Sequence, residues 1–199
     1  TRMRQDNAAL ASMVAAVDDS VGALLDKLDE LKIADDTVVI FFSDNGGLST
    51  LRGPGPGCNS PLRAGKGWLY EGGIREAFLV RWPEVTKPGS ISSHPVMSTD
   101  FFPTFIKAAG GKPKGMGPID GVDLMPLLKG EESLEREALY WHYPHYSNQG
   151  GFPGGAVRVG DWKLIERFEY GKTHLYDLAK DIGERNDVAD KHPDRVNAM

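Results

Sequence analysis

Five consecutive apolar residues, Val38-Val39-Ile40-Phe41-Phe42, run directly into Ser43-Asp44-Asn45-Gly46-Gly47. The run does not alternate, so a strand built from it has no side suited to water. That is the pattern of a strand buried on both faces, as in a parallel α/β sheet. Before it, Leu10, Met13, Val14, Val17, Val21, Leu24, Leu25, Leu28 and Leu31 recur at intervals of three and four, the mark of a long amphipathic helix over 7–32. Asp35-Asp36 supplies a turn between the two. The chain therefore opens as helix, turn, buried strand and polar corner, which sets the expected class as α/β.

The rest of the chain divides in character. Residues 48–76 are rich in glycine and proline and read as irregular, and 77–82 form a second buried strand stopped by Pro83. Ser98 or Thr99 is expected to cap a helix that tolerates Pro103 in its first turn and ends at Gly110. Asp123 is expected to cap a short helix ending before Gly130. After residue 138, short strands are expected at 139–143, 156–159, 162–168 and 174–178, with Gly160-Asp161 as a type II′ hairpin turn. The expected organisation is an α/β part over 1–135 and a small antiparallel-sheet subdomain over 136–199, whose charged tail from Lys180 wraps the surface.

Charge and cysteine content narrow the function. With 23 basic against 28 acidic residues and a net charge of −5, the chain lacks the basic excess of a general nucleic-acid binder. No run of 18 apolar residues occurs, so no membrane span is expected. The N-terminal stretch TRMRQDNAAL lacks the apolar core of a signal peptide. One cysteine, Cys58, excludes an intramolecular disulfide and a multi-cysteine zinc cluster.

Two stretches carry candidate chemistry. Ligands of open α/β sheets bind beyond the carboxyl ends of strands, where Asp44 and Asn45 fall. Their oxygens are hard donors, suited to calcium or magnesium, although Asp-Asn-Gly is also ordinary turn chemistry and two ligands fall short of a shell of ~6 oxygens. Lys66 lies between Gly65 and Gly67, where small neighbours let an anion approach a compact three-donor cation. A Walker A loop is excluded, because Ser60 and Gly67 stand where glycine and Ser/Thr are needed. Glu71 is expected to pair internally with Arg63 or Arg75. His142 and His145, in LYWHYPHYSNQGGFPGG, suit either substrate contact and proton donation or simple packing in an aromatic loop. Trp68, Trp141 and Trp162 are read as core or interface aromatics.

Taken in order, VIFFSDNGG, NSPLRAGKGWLYEGGIR, STDFFPTFIKAAG, DGVDLMPLLKG and AVRVGDWKLI resemble the later half of the type I sulfatases, members of the alkaline phosphatase superfamily. The resemblance implies part of an alkaline-phosphatase-like mixed sheet flanked by helices, then a small antiparallel subdomain. It implies hydrolysis of sulfate esters by a formylglycine made from Cys or Ser in C/S-x-P-x-R. It also implies a divalent cation, usually calcium, held by an early Asp pair, the formylglycine and a later Asp-Asn pair. Asp44 and Asn45 match the later pair, and Lys66 matches the lysine that holds the sulfate group. The nucleophile motif is not matched: in CNSPLR, Ser60 stands where proline belongs and Leu62 where arginine belongs. The early Asp pair is unmatched too, since Asp18-Asp19 suits the polar face of the long helix. The formylglycine is therefore expected in a missing N-terminal part, and the 199 residues alone are expected to be inactive. A sulfated small molecule or glycan is the implied partner, a periplasmic or extracellular location is implied, and an exposed sheet edge invites association. Alternatives are a phosphodiesterase or phosphonate monoester hydrolase of the same superfamily, and a non-catalytic binding module.

Overall fold

A computed structural model describes residues 5–51, 53–54, 56–112, 117–131 and 134–199; the first four residues of the N-terminal stretch discussed above lie outside them. In chain order the elements are α1 (Ala8–Glu30), β1 (Val39–Phe42), β2 (Thr50–Leu51), β3 (Gly53–Pro54), α2 (Glu71–Ile74), β4 (Phe78–Arg81), α3 (Phe101–Ala108), α4 (Met125–Leu128), β5 (Leu139–Tyr143), β6 (Gly154–Val159), β7 (Trp162–Arg167), β8 (Lys172–Asp177) and α5 (Pro193–Ala198). They group into two compact units. The first gathers 1–23, 42–77 and 137–199, and the second 24–41 and 78–136.

The helix expected over 7–32 forms over 8–30. Asn7 caps it, its Oδ1 accepting the Leu10 N–H at 3.2 Å. None of its residues is buried, and Met13, Val14, Val17 and Leu24 are all at least half exposed. By length and composition alone α1 is apolar enough to cross a membrane, with a mean hydropathy of 1.5 over its best window. Counting consecutive apolar residues did not show this, because Asp18 and Asp19 interrupt the run. Two carboxylates, Asp18 and Asp19, stand at mid-helix, where charge is costly in hydrocarbon.

In the second unit β1 pairs with β4. Burial on both faces does not occur: Val38, Phe41 and Leu79 are 37%, 40% and 58% exposed. The two strands form a two-stranded sheet among the described residues, so no third strand or second layer covers those side chains. Behind them, α3 is capped differently from expectation. The buried Asp100, not Ser98 or Thr99, holds the N-cap position, but its side chain makes no capping bond to α3: its Oδ2 accepts the Met97 N–H at 2.8 Å and closes the preceding 3-10 turn over Ser98–Asp100. Its Oδ1 accepts the Val122 N–H at 3.0 Å and a bond from Arg136 Nη2. A carboxylate can accept several such bonds at once, which a hydroxyl at 98 or 99 cannot. The N-cap of α4 is Leu124 rather than the expected Asp123, which stands one residue earlier and accepts the Met125 N–H at 3.0 Å in a local turn.

In the first unit β5–β8 form an antiparallel meander in sequence order. The β6–β7 turn sits at Gly160, whose φ of +57° glycine adopts without strain, between Val159 and Trp162 in register. One face packs Ala156, Ile165, Tyr176 and Leu178 against Leu69 and Tyr70. The other buries Val157, Leu164 and Leu175 beneath Val188, Ala189, Val196 and Met199. The tail is thus not a surface wrap. Charged residues dominate its composition, but its few apolar side chains close one face of the sheet.

Candidate functional site

The polar corner is stitched to the lysine hairpin by backbone bonds. Ser43 N–H donates to Ala77 O at 3.2 Å, Gly46 N–H to Gly73 O at 3.1 Å and Lys66 N–H to Gly47 O at 3.3 Å. Asn59 is the clasp: its Nδ2 lies within bonding distance of the Gly47, Ala64 and Gly72 carbonyls, at 2.8, 2.9 and 3.3 Å. Ser49, fully buried, adds a bond from Oγ to Ala64 O at 2.7 Å. The close approach requires glycine: a Cβ on Gly46 would sit 1.8 Å from Gly72 O, and one on Gly65 2.2 Å from Gly47 O.

This arrangement puts the backbone of Lys66 beside the Asp44–Gly47 corner. The Asp44 and Lys66 side chains are exposed. Asn45 Nδ2 donates to Asp44 Oδ1 at 3.0 Å, which turns the two side chains toward each other; its backbone O accepts from Ser43 Oγ at 2.9 Å, while its side-chain Oδ1 makes no hydrogen bond among the described residues. Glu76, not singled out in the sequence, joins them. Burial pushes its carboxyl up to about 7, with the charge of Asp44 adding to the effect, and its buried Oε1 has no hydrogen-bond partner among the described residues. Two coupled carboxyls and a free amide oxygen are a fitting donor set for a hard cation such as calcium or magnesium. They supply part of a shell only: among the described residues no group of three or more His, Cys, Asp or Glu converges.

The sign of the Glu76 effect gives a testable outcome. Its folded pKa lies above the unfolded value, so the folded state binds the extra proton and cation-free stability falls as pH rises from about 4.5 through 7. Glu76→Gln is therefore expected to raise the melting temperature of the cation-free protein at pH 8 and leave it nearly unchanged at pH 4. Equal effects at both pH values would remove the burdened carboxyl from the site.

His142 and His145 are both exposed and both make ring contacts. The His142 ring lies 5.4 Å from Phe168, and His145 meets Tyr143 edge-on at 5.5 Å. What the following loop brings to the lysine hairpin is Ser147–Gly151. Gln149 O accepts from Thr50 Oγ1 at 2.7 Å and from Trp68 Nε1 at 3.1 Å. A Cβ on Gly151 would fall 1.8 Å from Gly67 O.

Below the hairpin lies a buried ion cluster. Lys163, fully buried on β7, sits 2.9 Å from both Glu71 Oε1 and Glu184 Oε1. Glu184 Oε2 accepts the Glu71 N–H at 2.6 Å, while Arg75 and Arg158 each stand 3.6 Å from Glu71 Oε2. Burial raises the Glu184 carboxyl above its usual range against the pull of Lys163. Glu71 therefore has Arg75 as foreseen, but Lys163 is its nearest cation. Arg63 instead lies over the Tyr70 ring at 3.9 Å and donates to Glu184 O at 2.6 Å. Asn59 falls within a quoted motif stretch and Glu76 directly follows it, but neither carries a distinguishing local pattern; Lys163 and Glu184 could not be paired with Glu71 from sequence separation alone.

Two family models match the chain: "Sulfatase" over residues 1–111, and "N-sulphoglucosamine sulphohydrolase, C-terminal" over 64–198. A Formosa agariphila sulfatase is 34% identical over 209 residues, an alignment covering 96% of this chain and 37% of that protein. Human arylsulfatase A is 35% identical over 211 residues, covering 92% and 40%. The crystal structure of Ps i-CgsB in complex with k-i-k-neocarrahexaose superposes with a TM-score of 0.83 at 33% identity, covering 98% of this chain and 42% of that one. The chain thus spans about two fifths of the length of these relatives.

Proposed function

The chain belongs to the sulfatase family, and from that footing we propose that it is part of a sulfuric ester hydrolase that releases sulfate from a sulfated glycan or an aryl sulfate. The observation that carries the reading is the Lys66–Gly47 backbone bond under the Asn59 clasp, which sets the lysine hairpin against the Asp44-Asn45 corner. Calcium, or magnesium, would be held in part by Asp44 and Asn45 and would supply positive charge at the sulfuryl oxygens. A formylglycine contributed by sequence outside these residues would supply the nucleophilic hydroxyl. The work of this chain is to bind and orient. Lys66 offers an ammonium with three donors to a tetrahedral anion, and stabilises the charge that gathers on it as the ester bond lengthens. His142 and His145 contact the organic part of the ester. A location outside the cytoplasm and association through the exposed β1–β4 edge belong to the same proposal.

Asp44→Ala tests it at the cation. In the full-length protein the variant is expected to lose calcium affinity by at least tenfold in calorimetric titration, since one anionic ligand of a small set is gone. Unaltered affinity would place the cation elsewhere.

A further inference from the structure

The loop Ser147–Gly151 is fastened to the lysine hairpin by its backbone, which leaves a polar side chain unexplained. The Gln149 carbonyl is occupied by Thr50 Oγ1 and Trp68 Nε1, and Trp68 Nε1 is itself 2.9 Å from Thr50 Oγ1. Gly150 N–H closes a turn on Ser147 O at 3.1 Å, and a Cβ on Gly150 would lie 3.3 Å from the Trp68 ring. None of these bonds uses the Gln149 carboxamide, which makes no hydrogen bond to a described side chain or backbone group. Yet it is held against the hairpin that carries Lys66. A Cβ on Gly67, the residue after Lys66, would lie 3.1 Å from Gln149 Cβ, 3.2 Å from Gln149 Oε1 and 2.6 Å from Ser147 Oγ. Gly67 has a φ of +85°. Glycine there both permits the turn and clears the space in which these polar atoms stand.

An amide packed on Gly67, the residue after Lys66, has one donor group and one acceptor, and no charge to compete for a sulfate. Its complement is a group that also donates and accepts, the hydroxyl of a sugar. An aromatic or steroid leaving group lacks that complement on the carbon skeleton next to the ester oxygen. We propose that Gln149 is a specificity-determining residue, whose carboxamide hydrogen-bonds a hydroxyl of the sugar that carries the sulfate, so that the site is selective for polyhydroxylated sulfate esters. This rests on the sulfatase reading above. The backbone lock by Thr50 and Trp68 fixes the loop, so the carboxamide is positioned before substrate arrives.

The test uses the full-length enzyme, with glucosamine 6-sulfate and 4-nitrophenyl sulfate as the two substrates. Gln149→Met keeps the length of the side chain and its packing on Gly67 while removing both hydrogen-bonding functions. The expected result is a fall in kcat/KM for the sugar sulfate about tenfold greater than for the aryl sulfate, the size of one buried hydrogen bond left unpaired. The melting temperature should not change. Gln149→Asn, which keeps the amide on a shorter stem, is expected to recover part of the ratio. Equal changes on both substrates, or no change on either, overturn the assignment of Gln149 while leaving the hydrolase intact. A wild-type enzyme that hydrolyses neither ester overturns the underlying reading and this inference with it.

Discussion

Replacing Lys66 by alanine in the full-length enzyme is expected to lower kcat for a sulfate ester by about 10²–10³-fold, the usual cost of removing one preorganised charge or donor from a developing oxyanion. The reason lies in how the residue is held. Its backbone is fixed by the bond to Gly47, and its side chain is exposed. The change therefore removes an ammonium without disturbing a packed core, and the melting temperature should stay within a degree or two. KM should rise as well, because the sulfate carries its charge before the reaction as well as during it. Lys66→Arg is expected to recover little. A planar guanidinium on a longer stem cannot direct three donors at one tetrahedral group from between two glycines. An alanine variant with unchanged kcat would take the lysine out of the chemistry and leave the Asp44-Asn45 corner as turn structure.

Much of the local structure was legible because local physics decides it. The periodicity that marks α1 and the Gly160 turn each depend on a few neighbouring residues, and each forms where expected; Asp123 turns the chain into α4 from one residue before its cap. The cover of β1 was not legible. Five apolar residues in a row state that a strand prefers burial on both faces, but nothing in the run says which strands must provide it. The same limit applied to Asp100. The partners that fix its buried carboxylate, the Val122 N–H and Arg136, lie 22 and 36 residues on. The site shows the division most clearly. Asp44, Asn45 and Lys66 stood out by residue type among glycines. Asn59 did not, since an amide bonding three carbonyls is defined only once the chain segments meet. Glu76 was hidden for the opposite reason: what distinguishes it is an orphaned oxygen near Asp44, and sequence does not reveal which partners a carboxylate lacks.

The largest stability effect is expected at Lys163. It is 92 positions from Glu71 and, among the described residues, is the one fully buried cation between two carboxylates. Lys163→Met fills the volume but leaves Glu71 and Glu184 without their common partner in a site that excludes water. Breaking a buried pair in this way costs about 3–5 kcal/mol, far more than the intact pair contributes over an apolar replacement. At about 2–4 °C per kcal/mol for a domain of this size, the melting temperature should fall by roughly 10 °C. The loss should be smaller at pH 5 than at pH 8. Burial already raises the Glu184 carboxyl, and without Lys163 only the Glu71 N–H bond opposes that rise, so a proton taken up by the folded state replaces the missing cation. The double change Lys163→Met with Glu184→Gln should recover most of the stability, since Arg75 and Arg158 remain beside Glu71. Urea unfolding of the two variants at both pH values measures all three quantities. A single variant within about 1 kcal/mol of the parent at pH 8 would mean that water or movement relieves the carboxylates. The cluster would then not anchor the start of α2 and, through it, the hairpin that carries Lys66.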